Sequence, residues 1–151
     1  MCAGALSAQF SYDMLKWIDV FGPKTVAQFG PKDAAPERYG LKSDADLRGP
    51  AGRKIRADCD LINLITPDDA PVFLYTTQPG GEITNRTQYL HHPKHSQLLF
   101  ERCREIGVPA VLSIPSLGIA PLESDPGDLR AFLFQHLQPP TPAAADAPKK
   151  I

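Results

Sequence analysis

No stretch of this sequence approaches the roughly 18 consecutive apolar residues of a membrane-spanning helix, so no transmembrane span is expected. An excess of one charge is missing as well. The 16 Lys and Arg residues stand against 17 Asp and Glu, a formal net charge of −1. That balance argues against a dedicated nucleic-acid binder, which normally carries a basic excess or stripe. Cysteine is scarce and widely spaced, at Cys2, Cys59 and Cys103, with no C-x-x-C pair and no zinc spacing. These thiols read as small buried hydrophobes in a reducing compartment. Cys103 lies on an apolar helical stripe, and the sequence offers it neither a neighbouring base nor a reason for a lowered pKa. The Met1-Cys2-Ala3-Gly4 start has no basic region ahead of a long apolar stretch. No secretory signal is therefore seen in the chain as it stands, and the expected location is cytoplasmic. The Asn85-Arg86-Thr87 sequon then carries little weight. Neither G-x-x-x-x-G-K-[ST] nor G-x-G-x-x-G occurs, so Gln78-Pro79-Gly80-Gly81-Glu82 reads as a strand-to-helix loop rather than a phosphate cradle. No cofactor is expected.

What is present is 151 residues with 42% hydrophobic content, enough for one domain with a moderate core and too little for a two-domain enzyme. The 16 prolines and 11 glycines exceed average usage without reaching the levels of a low-complexity chain. They predict short elements and long loops.

Residues 2–8 are small and apolar and read as a short buried strand. Ser11-Tyr12-Asp13 supplies an N-cap, Met14, Leu15, Ile18 and Phe21 follow at helical spacing, and Gly22-Pro23 stops the helix. A second short helix is expected over 25–29. Residues 31–52 are polar and rich in Pro and Gly, a loop excursion with one helical turn near 43–47. Residues 54–64 show a mixed pattern, and Thr66 to Pro71 is a turn cluster. Val72-Phe73-Leu74-Tyr75-Thr76-Thr77 is the clearest strand, a continuous β-prone run of the kind found in buried parallel sheets. Residues 83–93 read as irregular. A helix is predicted over 93–106 with Gly107 as its C-cap, a strand over 110–114, a loop over 115–127 and an amphipathic helix over 128–137. The Pro- and Ala-rich residues 139–151 read as a disordered tail. Strands alternating with helices imply an α/β fold: a partial parallel sheet of about three strands flanked by helices.

In order and spacing, Pro71-Val72-Phe73-Leu74-Tyr75, His91-His92-Pro93-Lys94-His95-Ser96-Gln97-Leu98-Leu99 and Glu105-Ile106-Gly107-Val108-Pro109-Ala110-Val111-Leu112 resemble the C-terminal part of an α/β-hydrolase. The resemblance is to the esterase and lipase branch that includes feruloyl-esterase-like proteins. It covers residues 2–138, with residues 14–65 where that family has its variable cap. It implies descent from a serine carboxyl-ester hydrolase. The catalytic pattern departs from it. The family's nucleophile sits in a G-x-S-x-G elbow, which lies upstream of the matching part and does not occur here; Ser7 lacks the flanking glycines. The acid position falls on Gly80, with Glu82 two residues on. The base position falls on Ile119, within Pro115-Ser116-Leu117-Gly118-Ile119. An imidazole takes and returns the proton in acyl transfer, and isoleucine cannot. The resemblance thus implies a truncated or catalytically inactive form. The alternative is a non-catalytic structural or interaction module.

His91, His92 and His95 form the sharpest polar cluster. With Pro93 as a first helical residue, His92 falls near an N-cap, and His91 and His95 lie four apart, within reach across one turn. Together with Glu82 they are the candidates for a substitute base or a metal site. The simpler reading is a helix start that caps backbone and meets solvent, since zinc asks for three or four supported ligands. His136 reads as a partly buried structural residue. Two further expectations follow. Val72, Phe73, Leu74, Leu98, Leu99, Val111, Leu112, Phe132 and Leu133 should be mostly buried together. Residues Ala3 to Ala8, which carry neither charge nor proline, should form an unpaired sheet edge prone to self-association or to pairing with an N-terminal segment.

Overall fold

The computed structural model of the protein describes residues 1–33 and 35–137. The tail expected at 139–151 lies outside them. The chain opens with β1 (Ala3–Leu6), followed by α1 (Lys16–Phe21) and α2 (Pro23–Phe29). Gly22 separates the two helices at φ 81°, a conformation that L side chains rarely adopt, and Pro23 starts α2, where its missing N–H costs nothing. A 3-10 turn at Pro36–Tyr39 leads into α3 (Asp44–Arg48), α4 (Pro50–Asp58) and α5 (Leu61–Leu64). Then come β2 (Val72–Tyr75), α6 (Arg86–His91), α7 (Pro93–Ile106), β3 (Ala110–Ser113), a 3-10 turn at Pro115–Leu117 and α8 (Leu129–Leu137).

The three strands form one parallel sheet in the order β1-β2-β3, with Ala5 opposite Leu74 and Leu74 opposite Leu112. Helices flank it, as the alternation of strand and helix in the sequence requires. Of the expected core, Phe73, Leu74, Leu99, Val111, Leu112 and Phe132 are buried and Val72, Leu98 and Leu133 half-buried, on two sides of the sheet. Phe73, Val111 and Phe132 pack together on one face, with Leu129 and Leu133 beside them. Leu74, Leu112 and Leu99 pack on the other with Phe10, Met14, Trp17, Tyr89 and Ile114. The period of two along a strand sends adjacent residues to opposite faces, so the core divides into two clusters. The Phe73 and Phe132 rings lie 5.6 Å apart and fix α8 to its face.

The excursion holds more helix than its composition suggests. Ser43 caps α3 by accepting from the Asp46 N–H at 3.1 Å, and Gly52 of α4 rests directly on the Asp46 and Leu47 carbonyls. Residues 83–93, expected as irregular, contain α6, where the Asn85 side chain accepts from the Gln88 N–H at 3.0 Å. Ser11 caps no helix; its hydroxyl accepts from the Asp13 N–H and donates to Asp60 at 2.7 Å. Three buried carboxylates hold the excursion, two of them through pairs that reach the rest of the chain. Asp13 takes Arg56 at 3.0 and 2.8 Å, Asp33 takes Arg86 at 2.9 and 3.0 Å, and Asp60 takes Lys16 and Asn63. Pairing is what makes burial of such charges tolerable. No helix among the described residues is long and apolar enough to cross a membrane.

Candidate functional site

In open α/β sheets, ligands and catalytic groups collect at the carboxyl ends of the strands. Here those ends carry Ser7, Thr76 and Ile114. Ser7 follows β1 at φ 49°, the one non-glycine residue with positive φ among those described. Its hydroxyl meets the buried Thr76 hydroxyl at 3.2 Å, and that same Thr76 oxygen accepts from the Gln78 N–H at 3.2 Å. The Ser7 N–H donates to the Tyr75 carbonyl at 2.7 Å, so the turn that aims the hydroxyl is held by the sheet ladder.

The loops after β2 and β3 meet above this point. The Ser116 hydroxyl donates to the Gln78 carbonyl at 2.6 Å. A Cβ at Gly80 would lie 2.6 Å from Leu117, so the absence of a side chain there lets the loops close. The second loop is clamped by a bridge in which Ile114 and Ile119 exchange N–H···O bonds of 2.8 and 3.1 Å. Gly80 and Ile119, the positions that the resemblance assigns to acid and base, thus stand on two touching loops. Neither offers a titratable group.

The three histidines diverge. His91 closes α6, His92 is an extended joint at φ −56° and ψ 137°, and His95 lies in α7, so spacing along one helix does not apply to them. His91 alone turns toward the strand ends: its Nδ1 lies 3.5 Å from the Ser7 carbonyl, the long limit for a hydrogen bond. His92 is a cap. Its Nδ1 accepts from the Lys94 N–H at 3.1 Å, which places the proton on Nε2, and Nε2 faces the Gly81 carbonyl at 3.3 Å. Burial and then the Lys94 charge lower its pKa, against the Gly81 contact. His95 is 1% exposed, its Nε2–H bonded to the Tyr89 carbonyl at 3.1 Å and its ring 4.4 Å from Trp17 and 4.9 Å from Phe21. Burial holds its pKa down to about 4. A general base needs a lone pair within reach of the proton it takes; the Nδ1 of His95 is walled in by rings.

Glu82 is exposed and borders a surface groove with Phe21, Lys24, His92 and Lys94. The nearest imidazole contact in that groove runs to the Gly81 carbonyl rather than to its carboxylate. Among the described residues no three His, Cys, Asp or Glu side chains converge as metal ligands. The serine hydroxyls bond to Thr76, Asp60, Asp46 and Gln78, and none of these bonds runs to an imidazole. Cys103 is buried, which raises its thiol pKa, and the His136 ring lies tilted against Phe132 at 4.6 Å. Thr76, Gln78 and Ser116 were missed from sequence; they are small polar residues at strand ends, and only the pairing of β1, β2 and β3 brings them together. Comparison with protein-family models, with curated proteins and with solved structures finds no match to this chain.

Proposed function

We propose that this chain is an α/β-hydrolase-related protein of the carboxyl-ester hydrolase type that carries out no acyl transfer by itself. The observation that supports this reading is the contact of the loops after β2 and β3 at the carboxyl edge of the parallel sheet, Gly80 against Leu117. A hydrolase of that type sets its acid and base on such a pair of loops. Here the pair is closed by the Gly80–Leu117 contact and by the Ser116 hydroxyl on the Gln78 carbonyl. Acyl transfer needs a nucleophile, a base and oxyanion donors acting together. Ser7 gives its hydroxyl to Thr76, and His91 faces the Ser7 carbonyl rather than its Oγ. The free thiols at Cys2, Cys59 and Cys103 fit a reducing, cytoplasmic setting, and the near-neutral charge fits partners other than nucleic acid.

The test is to incubate the purified chain with a fluorophosphonate probe and, separately, with p-nitrophenyl acetate. The expected result is no labelled serine and hydrolysis at the buffer rate. A labelled Ser7 peptide, with turnover lost in Ser7→Ala and His91→Ala, would overturn the proposal.

A further inference from the structure

The outer strands of the sheet differ. In β3, three of four residues are buried; in β1, Ala3, Gly4 and Leu6 are exposed and Ala5 is half-buried. The ladder to β2 uses the N–H groups of Ala3 and Ser7, bonded to the Pro71 and Tyr75 carbonyls at 2.9 and 2.7 Å. A parallel ladder alternates, so Gly4 and Leu6 turn their N–H and C=O groups outward. Residues 2–8 carry no charge and no proline to discourage pairing.

Apolar surface continues from this edge on both faces of the sheet. On one face Leu129 of α8 covers Gly4, with 2.5 Å from its methyl to a Cβ built there. By the strand's alternation Leu6, 64% exposed, stands on that same face. Leu129, Leu133, Phe134 and Leu137 line a groove of about 490 Å³ along α8, where Phe134 and Leu137 are also largely exposed. On the opposite face Ala3 and Ala5 line a second groove of about 350 Å³ with Leu61 and Ile65.

We propose that β1 pairs antiparallel with β1 of a second copy of this chain about a two-fold axis, joining two three-stranded sheets into one of six strands. The outward groups fix the register. Within β1 only Gly4 and Leu6 offer outward ladder groups, and the register that uses both pairs Gly4 with Leu6 of the other copy, Leu6 with Gly4, and sets Ala5 opposite Ala5 in the close, non-hydrogen-bonded position. That register is self-complementary. Each leucine stands beside the other copy's glycine, next to the Leu129 side chain that covers it, and the small alanines meet where Cβ atoms come closest. A two-fold axis normal to the sheet sets both α8 helices on the same face, so their exposed apolar stripes adjoin. Six strands also lie in the usual range for a sheet, where three are few. An uncharged edge meets its own copy without repulsion, which a charged partner strand would not exploit. The exposed β1 edge, its lack of charge and the apolar stripe of α8 carry the inference without the esterase reading.

The test is size-exclusion chromatography with light scattering on the full chain from 1 to 100 µM, alongside Leu6→Lys, Phe134→Glu and Ala5→Cys (concentrations on the order of typical dimer dissociation constants). Phe134 is solvent-exposed on α8, so its variant keeps the fold even where Leu6→Lys does not, as circular dichroism checks. The expected result is a dimer mass for the native chain and at least a tenfold weaker association for Phe134→Glu and Leu6→Lys. Ala5→Cys should yield an oxidised dimer, cleaved by reductant, that the native chain with its three thiols does not form. A monomer across the range overturns the proposal. So does a dimer that ignores the substitutions and gives no Ala5→Cys cross-link, because the copies would then meet elsewhere. A monomer that gains a strand at β1 only from a preceding segment of a longer polypeptide overturns it too.

Discussion

The Nε2–H of His95 donates to the backbone carbonyl of Tyr89 at 3.1 Å, while its buried Nδ1 has no hydrogen-bond partner. The ring sits within 5.5 Å of the Phe10 ring and 4.4 Å of Trp17, and so ties α7 to the start of the excursion. A neutral ring suits this place, because a proton on Nδ1 would put an unpaired charge among aromatic faces. Burial is the largest cause of the pKa near 4, with the charges of His92 and His91 acting the same way and the Tyr89 bond opposing.

The sign of the resulting pH dependence follows. The unfolded chain takes up the proton near pH 6.5, and the folded chain refuses it until about pH 4. Stability from this group is complete above pH 6.5 and falls away as pH drops from 6.5 to 4, by about 3 kcal/mol. Urea unfolding at pH 7 and pH 4.5 measures it. His95→Phe should flatten the loss in that window, and an unchanged slope would show that another group carries it.

Core truncation should separate the two faces of the sheet. Leu74 is 2% exposed among Trp17, Leu99 and Ile114, so Leu74→Ala should cost about 2–5 kcal/mol. The substitution removes methyls from the α7 face only. The Phe132 ring on the other face should keep its aromatic shifts in NMR spectra.

Asp13 and Arg56 join residues 43 positions apart, with side chains 7% and 15% exposed. Arg56 also donates to the Leu47 carbonyl at 3.3 Å, so it ties α4 to both α3 and the first turn of the excursion. Arg56→Met leaves a buried carboxylate without its partner and should cost about 3–5 kcal/mol. The double variant Asp13→Asn with Arg56→Met should recover part of that loss; thermal melts of the three variants decide.

Gly52 offers a steric test of the excursion. A Cβ there would overlap the Asp46 and Leu47 carbonyl oxygens, which are backbone and cannot rotate away. Gly52→Ala should therefore destabilise by about 1–3 kcal/mol, although alanine is the better helix former. An increase in melting temperature would mean that α3 and α4 do not pack this closely.

What could be read from the sequence was local. β2 and β3 are uninterrupted apolar runs, and α7 is punctuated by Pro93 at its first turn and Gly107 at φ 85° after its last. The excursion was not legible because long-range charge pairs hold it. Nothing near Ser11 or Lys16 in the chain announces that both meet Asp60. The histidine cluster misled for a similar reason. A four-residue spacing implies one helix face only if the helix is continuous, and the extended backbone at His92 breaks it. The touching loops at Gly80 and Leu117 were out of reach for any spacing argument, since the sheet alone brings them together.

The central claim is that these loops occupy the places of a hydrolase's acid and base, and one titration tests it most directly. The single variant Ile119→His and the double variant Gly80→Asp with Ile119→His, both in a Leu117→Ala background that clears the methyl a Cβ at position 80 would meet, are compared by NMR, following the imidazole introduced at position 119. If the loops hold those places, the carboxylate introduced at position 80 faces the ring and stabilises its charged form, and the ring's pKa rises by about 1 unit or more in the double variant. Identical titration curves in the two variants would contradict the account.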